Sequence, residues 1–118
     1  MLATDPLTLA RAIVDFLEEK KGEDILLLDL VDICSFTDYF IVCSAGTERT
    51  LKALSGEVQR QTQEMFRLKP QTVEGDAASR WILIDFGDVI VHLFSPELRT
   101  YYRLEELWKE GHVLVHLR

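Results

Sequence analysis

Apolar positions along the chain change period several times, and each change marks an element. Leu9, Ile13, Phe16 and Leu17 recur at helical spacing behind Asp5-Pro6, an N-cap followed by proline in the first turn. Gly22 supplies a stop after Lys20-Lys21. Asp24–Val31 (DILLLDLV) and Asp38–Ala45 (DYFIVCSA) are short apolar runs rich in strand formers. Runs of that kind predict strands covered on both faces, hence helices on both sides of a sheet. From Thr47 to Leu68 the apolar residues Leu51, Leu54, Val58, Met65 and Leu68 predict an amphipathic helix capped by Thr47. Lys69–Ser79 reads as a loop, with Pro70 and Gly75 as breakers. A hairpin over Arg80–Phe94 follows, then one or two short helices opened by Pro96 and ended by Gly111. The last residues, HVLVHLR, alternate like an extended tail. The order is helix, strand, strand, helix, strand, strand, helix. It predicts an α/β fold: a single domain over residues 1–118, with a mixed β-sheet flanked by helices.

The hairpin carries the most local information. A two-residue turn at Gly87-Asp88 pairs Phe86 with Val89, which sets the register of the whole ladder. Ile84 then faces Val91 and Ile82 faces Leu93, so one face is wholly apolar and belongs to the core. The other face pairs Asp85 with Ile90, Leu83 with His92, and Trp81 with Phe94. It mixes large aromatics with a carboxylate and an imidazole. Two readings stay open: a covering helix, or a protein-binding patch of the aromatic kind found at interface centres.

A chain of 118 residues with 47% hydrophobic and 28% charged residues is an ordinary globular domain rather than a disordered one. Charged residues interrupt every apolar stretch before the roughly 18 residues of a membrane span. The N-terminus lacks the basic and apolar regions of a secretory signal, so a cytoplasmic protein with no membrane partner is expected. Two cysteines, Cys34 and Cys43, lack a CxxC spacing and a neighbouring base, and read as small buried hydrophobes. The net charge of −7 sits entirely in residues 1–48, which hold ten acids and three bases; residues 49–118 hold ten of each. A phosphate-driven nucleic-acid binder would carry a basic stripe, and this chain has none. Acidity suits a basic protein partner, and a plain solvated surface equally well.

Catalytic chemistry has candidates as well. Asp38, Glu74, Asp85, Asp88 and His92 are the groups a metal-dependent nucleotidyltransferase-like or phosphoryl-transfer enzyme would recruit. Against that reading, no D-x-D pair falls on a strand, Gly46-Thr47 is not a Gly-Ser opening, and there is no glycine-rich phosphate loop. Asp88 suits the turn, and Asp38 the start of a strand. A lone strand histidine such as His92 is more often structural than a ligand. His112 and His116 are four apart, which suits a metal only on a helix, and the alternation around them is extended. No metal or cofactor is expected.

Several segments resemble the Iojap-related ribosomal silencing factor family: SFTDYFIV (35–42), the glycine and arginine of GTER (46–49), EG (74–75), WILIDFGDVIVHLF (81–94) and ELRTYYRLEELW (97–108). The resemblance runs from about Asp24 to Trp108. One departure is Glu48 and Thr50, where the family usually has Ser and Gln. The resemblance implies an α/β/α fold similar to nucleotidyltransferases but without their activity. It implies a translational repressor that binds the large ribosomal subunit through protein L-fourteen, with no direct nucleic-acid contact required. Such a factor blocks joining of the small subunit and lowers translation under nutrient limitation. On that view the partner-facing residues are Trp81, Asp85, His92 and Phe94 of the hairpin, with Tyr101, Tyr102 and Trp108 beyond it. Arg99 and Glu105 would be polar rim contacts, or an internal salt bridge holding the helix to the hairpin. A binding face left uncovered would favour a homodimer when the ribosome is absent.

Overall fold

The computed structural model describes residues 5–101 and 110–117. Helix α1 spans Pro6–Glu19, with the Asp5 carboxylate accepting from Thr8 N at 3.1 Å. Its C-terminus differs from the expected glycine stop. Lys21 takes the left-handed conformation (φ 65°), and the Gly22 amide returns to Leu17 O at 2.8 Å. Gly22 answers a steric demand instead, because a Cβ there would lie 2.5 Å from Cys43 Sγ. Helix α2 spans Glu48–Phe66, capped by the Thr47 hydroxyl and closed by Arg67 at φ 53°. Helix α3 spans Pro96–Tyr101, and the rest of the expected helical stretch, residues 102–109, lies outside the described residues.

Among the described residues six strands form one mixed sheet: β1 (Glu23–Asp29), β2 (Tyr39–Ser44), β3 (Thr72–Asp76), β4 (Trp81–Asp85), β5 (Val89–Phe94) and β6 (His112–Leu117). Their order is β3-β4-β5-β2-β1-β6. Only β2 and β5 pair in parallel, as their long connection through α2 allows. Two expectations need correction. The loop predicted over residues 69–79 contains the edge strand β3, and the extended tail is the opposite edge strand, paired with β1. β3 escapes a pattern search because TVEGD has no apolar alternation and all five residues are exposed; the free edge of β4 pairs with it regardless.

The sheet's two faces are covered unequally. On the first, α1 and α2 seal Ile25, Leu27, Ile41, Cys43, Ile82, Ile84, Val91 and Leu93 against Leu9, Ile13, Leu17, Leu51, Leu54 and Val58. On the second, Leu26, Leu28, Leu30, Phe40, Val42, Ile90 and Phe94 form a smaller cluster. Among the described residues, its cover is Cys34 from the β1–β2 connection and Leu98 from α3. Among the described residues, the helices expected on both sides are two long ones on one face and one short one on the other.

Candidate protein-binding face

The site is built on the β4–β5 hairpin, whose register is the one the turn implies. Trp81 lies opposite Phe94, Leu83 opposite His92, and Asp85 opposite Ile90, while Ile82 and Ile84 meet Leu93 and Val91 on the helical side. The turn is closed by Phe86 N donating to Val89 O at 2.9 Å. Asp85 Oδ1 accepts from Gly87 N at 2.7 Å, and Gly87 has φ 92°. The Asp85 carboxylate is therefore committed to shaping the turn.

Parallel pairing brings β2 alongside, and with it a residue that the hairpin pattern did not reveal. The Phe40 ring meets His92 edge-on, with centroids 4.9 Å apart. Phe94 stacks on the other side of His92 at 5.7 Å, and Trp81 stacks on Phe94 at 6.1 Å. The order Phe40, His92, Phe94, Trp81 runs diagonally across three strands, each contact worth on the order of 1 kcal/mol beyond burial. Trp81, Leu83, Asp85 and His92 are partly exposed, and Phe94 is buried beneath them.

His92 is an unusual member of that run. Both ring nitrogens are buried and find no hydrogen-bond partner among the described residues, as is the case for Trp81 Nε1. Burial alone pushes the imidazole pKa down to about 4. A neutral, unpartnered ring serves as an aromatic packing unit and is unsuited to act as a base near neutral pH.

The remaining expected site residues divide. Arg99 is 6% exposed and turns into the fold. Its Nη1 donates to Asp24 O at 2.6 Å and Ser44 Oγ at 2.8 Å, and sits 3.5 Å from Asp24 Oδ2. These contacts tie α3 to β1 and β2. Tyr101 closes α3, and Tyr102, Glu105 and Trp108 lie outside the described residues. Cys43 is buried and its thiol is pushed up to about 12, so it is inert, while Cys34 is partly exposed.

Of the groups proposed for phosphoryl transfer, Asp38 and Asp88 are joined through their backbones, and the others lie at separate points of the sheet. Glu74 projects from the exposed edge strand β3, and Asp88 caps the hairpin turn, where its carbonyl accepts from Asp38 N and Tyr39 N. No three His, Cys, Asp or Glu side chains cluster as a metal site among the described residues. At the start of α2 a cavity of about 310 Å³ lies beside Gly46 and Thr47, and Glu48 and Glu97 line it. Arg80 lines it as well, so two carboxylates and one guanidinium meet there.

Comparison with known proteins decides the family. The model for "ribosomal silencing factor during starvation" matches residues 3–117. The chain belongs to the ribosomal silencing factor family. It is similar to ribosomal silencing factor RsfS of Bacillus subtilis, at 38% identity over 80% of this chain and 79% of that protein. It is also similar to mouse mitochondrial assembly of ribosomal large subunit protein 1, at 32% identity over 81% of this chain and 43% of that one. The crystal structure of a Chromobacterium violaceum protein superposes with a TM-score of 0.84 at 33% identity, covering 90% of this chain and 88% of that chain. Among its described residues this member of the family has a six-stranded mixed sheet with two long helices on one face, and an aromatic hairpin face opposite them.

Proposed function

We propose that this chain is a cytoplasmic translational repressor that binds the large ribosomal subunit through protein L-fourteen and sterically blocks joining of the small subunit. It acts by occupancy and needs neither catalysis nor a cofactor. The observation that carries this reading is the asymmetry of the sheet. Two long helices seal one face, while the other offers Trp81, Leu83 and His92 partly exposed over a stacked aromatic layer. Aromatic residues anchored on a rigid strand pair suit a protein interface, because little side-chain freedom is lost on docking. The family name supports a silencing role, and the relative named for large-subunit assembly supports the choice of subunit. The acidic first 48 residues favour a basic ribosomal protein over bare RNA.

Sedimentation of the purified protein with separated subunits, and with joined ribosomes, tests the proposal. Binding to free large subunits alone is the expected result. Absence from the large-subunit fraction at saturating protein, with magnesium-dependent nucleotide turnover, would favour the enzyme instead.

A further inference from the structure

The β1–β2 connection, residues 30–38, carries a feature the sequence pattern did not single out. Ile33 N and Cys34 N both donate to Leu30 O, at 3.0 and 2.9 Å, closing one tight turn. Leu30 and Cys34 point inward to the second-face cluster, so the residues between them point outward. Val31 is 49% exposed and Ile33 44%, and Phe36 just beyond is 68% exposed. Three large apolar side chains within six residues stand in water, and nothing in the fold requires it. The patch is continuous with the hairpin face, because Phe36 lies 6.2 Å from Phe40, the ring that abuts His92.

Charge along the segment that carries the patch has one sign. Residues 22–48 contain six acids and no lysine or arginine. Asp29, Asp32 and Asp38 flank the apolar residues, and the backbone bonds from Asp38 N and Tyr39 N to Asp88 O bring the hairpin turn, with Asp88, to the same end of the sheet. The field is felt at Tyr39. Its hydroxyl is pushed above the ordinary value first by burial and then by Asp29, Asp5 and Asp38, with Arg11 in opposition.

We propose that Val31, Ile33 and Phe36, ringed by Asp29, Asp32 and Asp38, extend the hairpin face into a docking surface for a basic protein surface on the large ribosomal subunit. This rests on the functional reading above and names a part of the interface outside the hairpin. The apolar residues supply the desolvated centre and the aspartates supply steering and register against lysine and arginine at the rim. A phosphate backbone would meet only repulsion there.

The test is sedimentation with isolated large subunits for wild type, the double variant Ile33→Ala/Phe36→Ala, and Asp32→Lys. All substituted side chains are exposed, and thermal unfolding of the same samples checks that they fold. The double variant is expected to lose at least tenfold in affinity with unchanged unfolding. Asp32→Lys is expected to bind more weakly, and its deficit should shrink as salt is raised. Wild-type affinity in both variants would overturn the inference while leaving the ribosomal reading standing. So would a dimer turned to monomer by the double variant with subunit binding unchanged, since the patch would then face a second copy. Failure of wild type itself to bind large subunits would overturn the ribosomal reading and this surface with it.

Discussion

Trp81 and Phe94 face each other across the β4–β5 ladder with centroids 6.1 Å apart and planes 27° from parallel. Three residues along β4, Ile84 projects to the other side of the sheet and is completely buried. One strand thus contributes to two surfaces with different duties, and substitutions on it should separate them. Ile84→Ala removes packing under α1 and α2 and should cost roughly 2–5 kcal/mol of stability. Trp81→Ala should cost about 1–2 kcal/mol, because the ring is partly exposed. It should weaken large-subunit binding by ~2 kcal/mol. Thermal unfolding and subunit binding measured on both variants check this, and equal destabilisation would remove Trp81 from the binding face.

Acid should loosen the aromatic layer through His92. Its folded pKa is lowered to about 4, while the unfolded chain has the ordinary value near 6.5. Between those values the unfolded state binds the extra proton, so stability falls as pH drops from about 6.5 and levels off below about 4. The loss amounts to roughly 3 kcal/mol at most. Denaturant unfolding across that window should show a shallower slope for His92→Phe than for wild type. Identical slopes would mean that the ring finds a proton acceptor when folded.

Arg99 should matter for stability more than for binding. Arg99→Met strips Asp24 O and Ser44 Oγ of their donor and leaves Asp24 without its cation. Asp24 is 46% exposed and keeps His116 Nε2 at 2.7 Å, so the cost should be about 2 kcal/mol, below that of a fully buried pair. Unfolding midpoints and subunit binding of the refolded variant check both halves of the expectation.

Gly22→Ala places a methyl group against Cys43 Sγ at 2.5 Å and Leu17 O at 3.1 Å. The backbone angle at Gly22 tolerates alanine, so the cost is steric, about 1–3 kcal/mol. Adding Cys43→Ala should recover part of it, which a double-mutant cycle on unfolding free energies would measure.

How much of this was legible in the sequence depends on the range of the forces involved. The hairpin register follows from a two-residue turn and strict alternation, and every pair from Trp81–Phe94 to Asp85–Ile90 forms as read. The caps at Asp5 and Thr47 are equally local. Gly22 reads as a helix stop because a stop and a close approach both select glycine, and only the fold brings Cys43 beside it. β3 is polar and exposed, so no periodicity announces it. Arg99 binds groups 75 and 55 residues away, beyond any local pattern. Alternation marked the second hairpin face as mixed, but Phe40 and Phe36 join it only through the parallel β2–β5 pairing.

Subunit joining measures the central claim most directly. Separated large and small subunits are mixed at a magnesium concentration that permits association, with and without the protein, and resolved by sucrose-gradient sedimentation. The account predicts that saturating protein holds the large subunits free and travels with them, while ribosomes joined beforehand at high magnesium stay joined. An undiminished peak of joined ribosomes formed from separate subunits at saturating protein would contradict it.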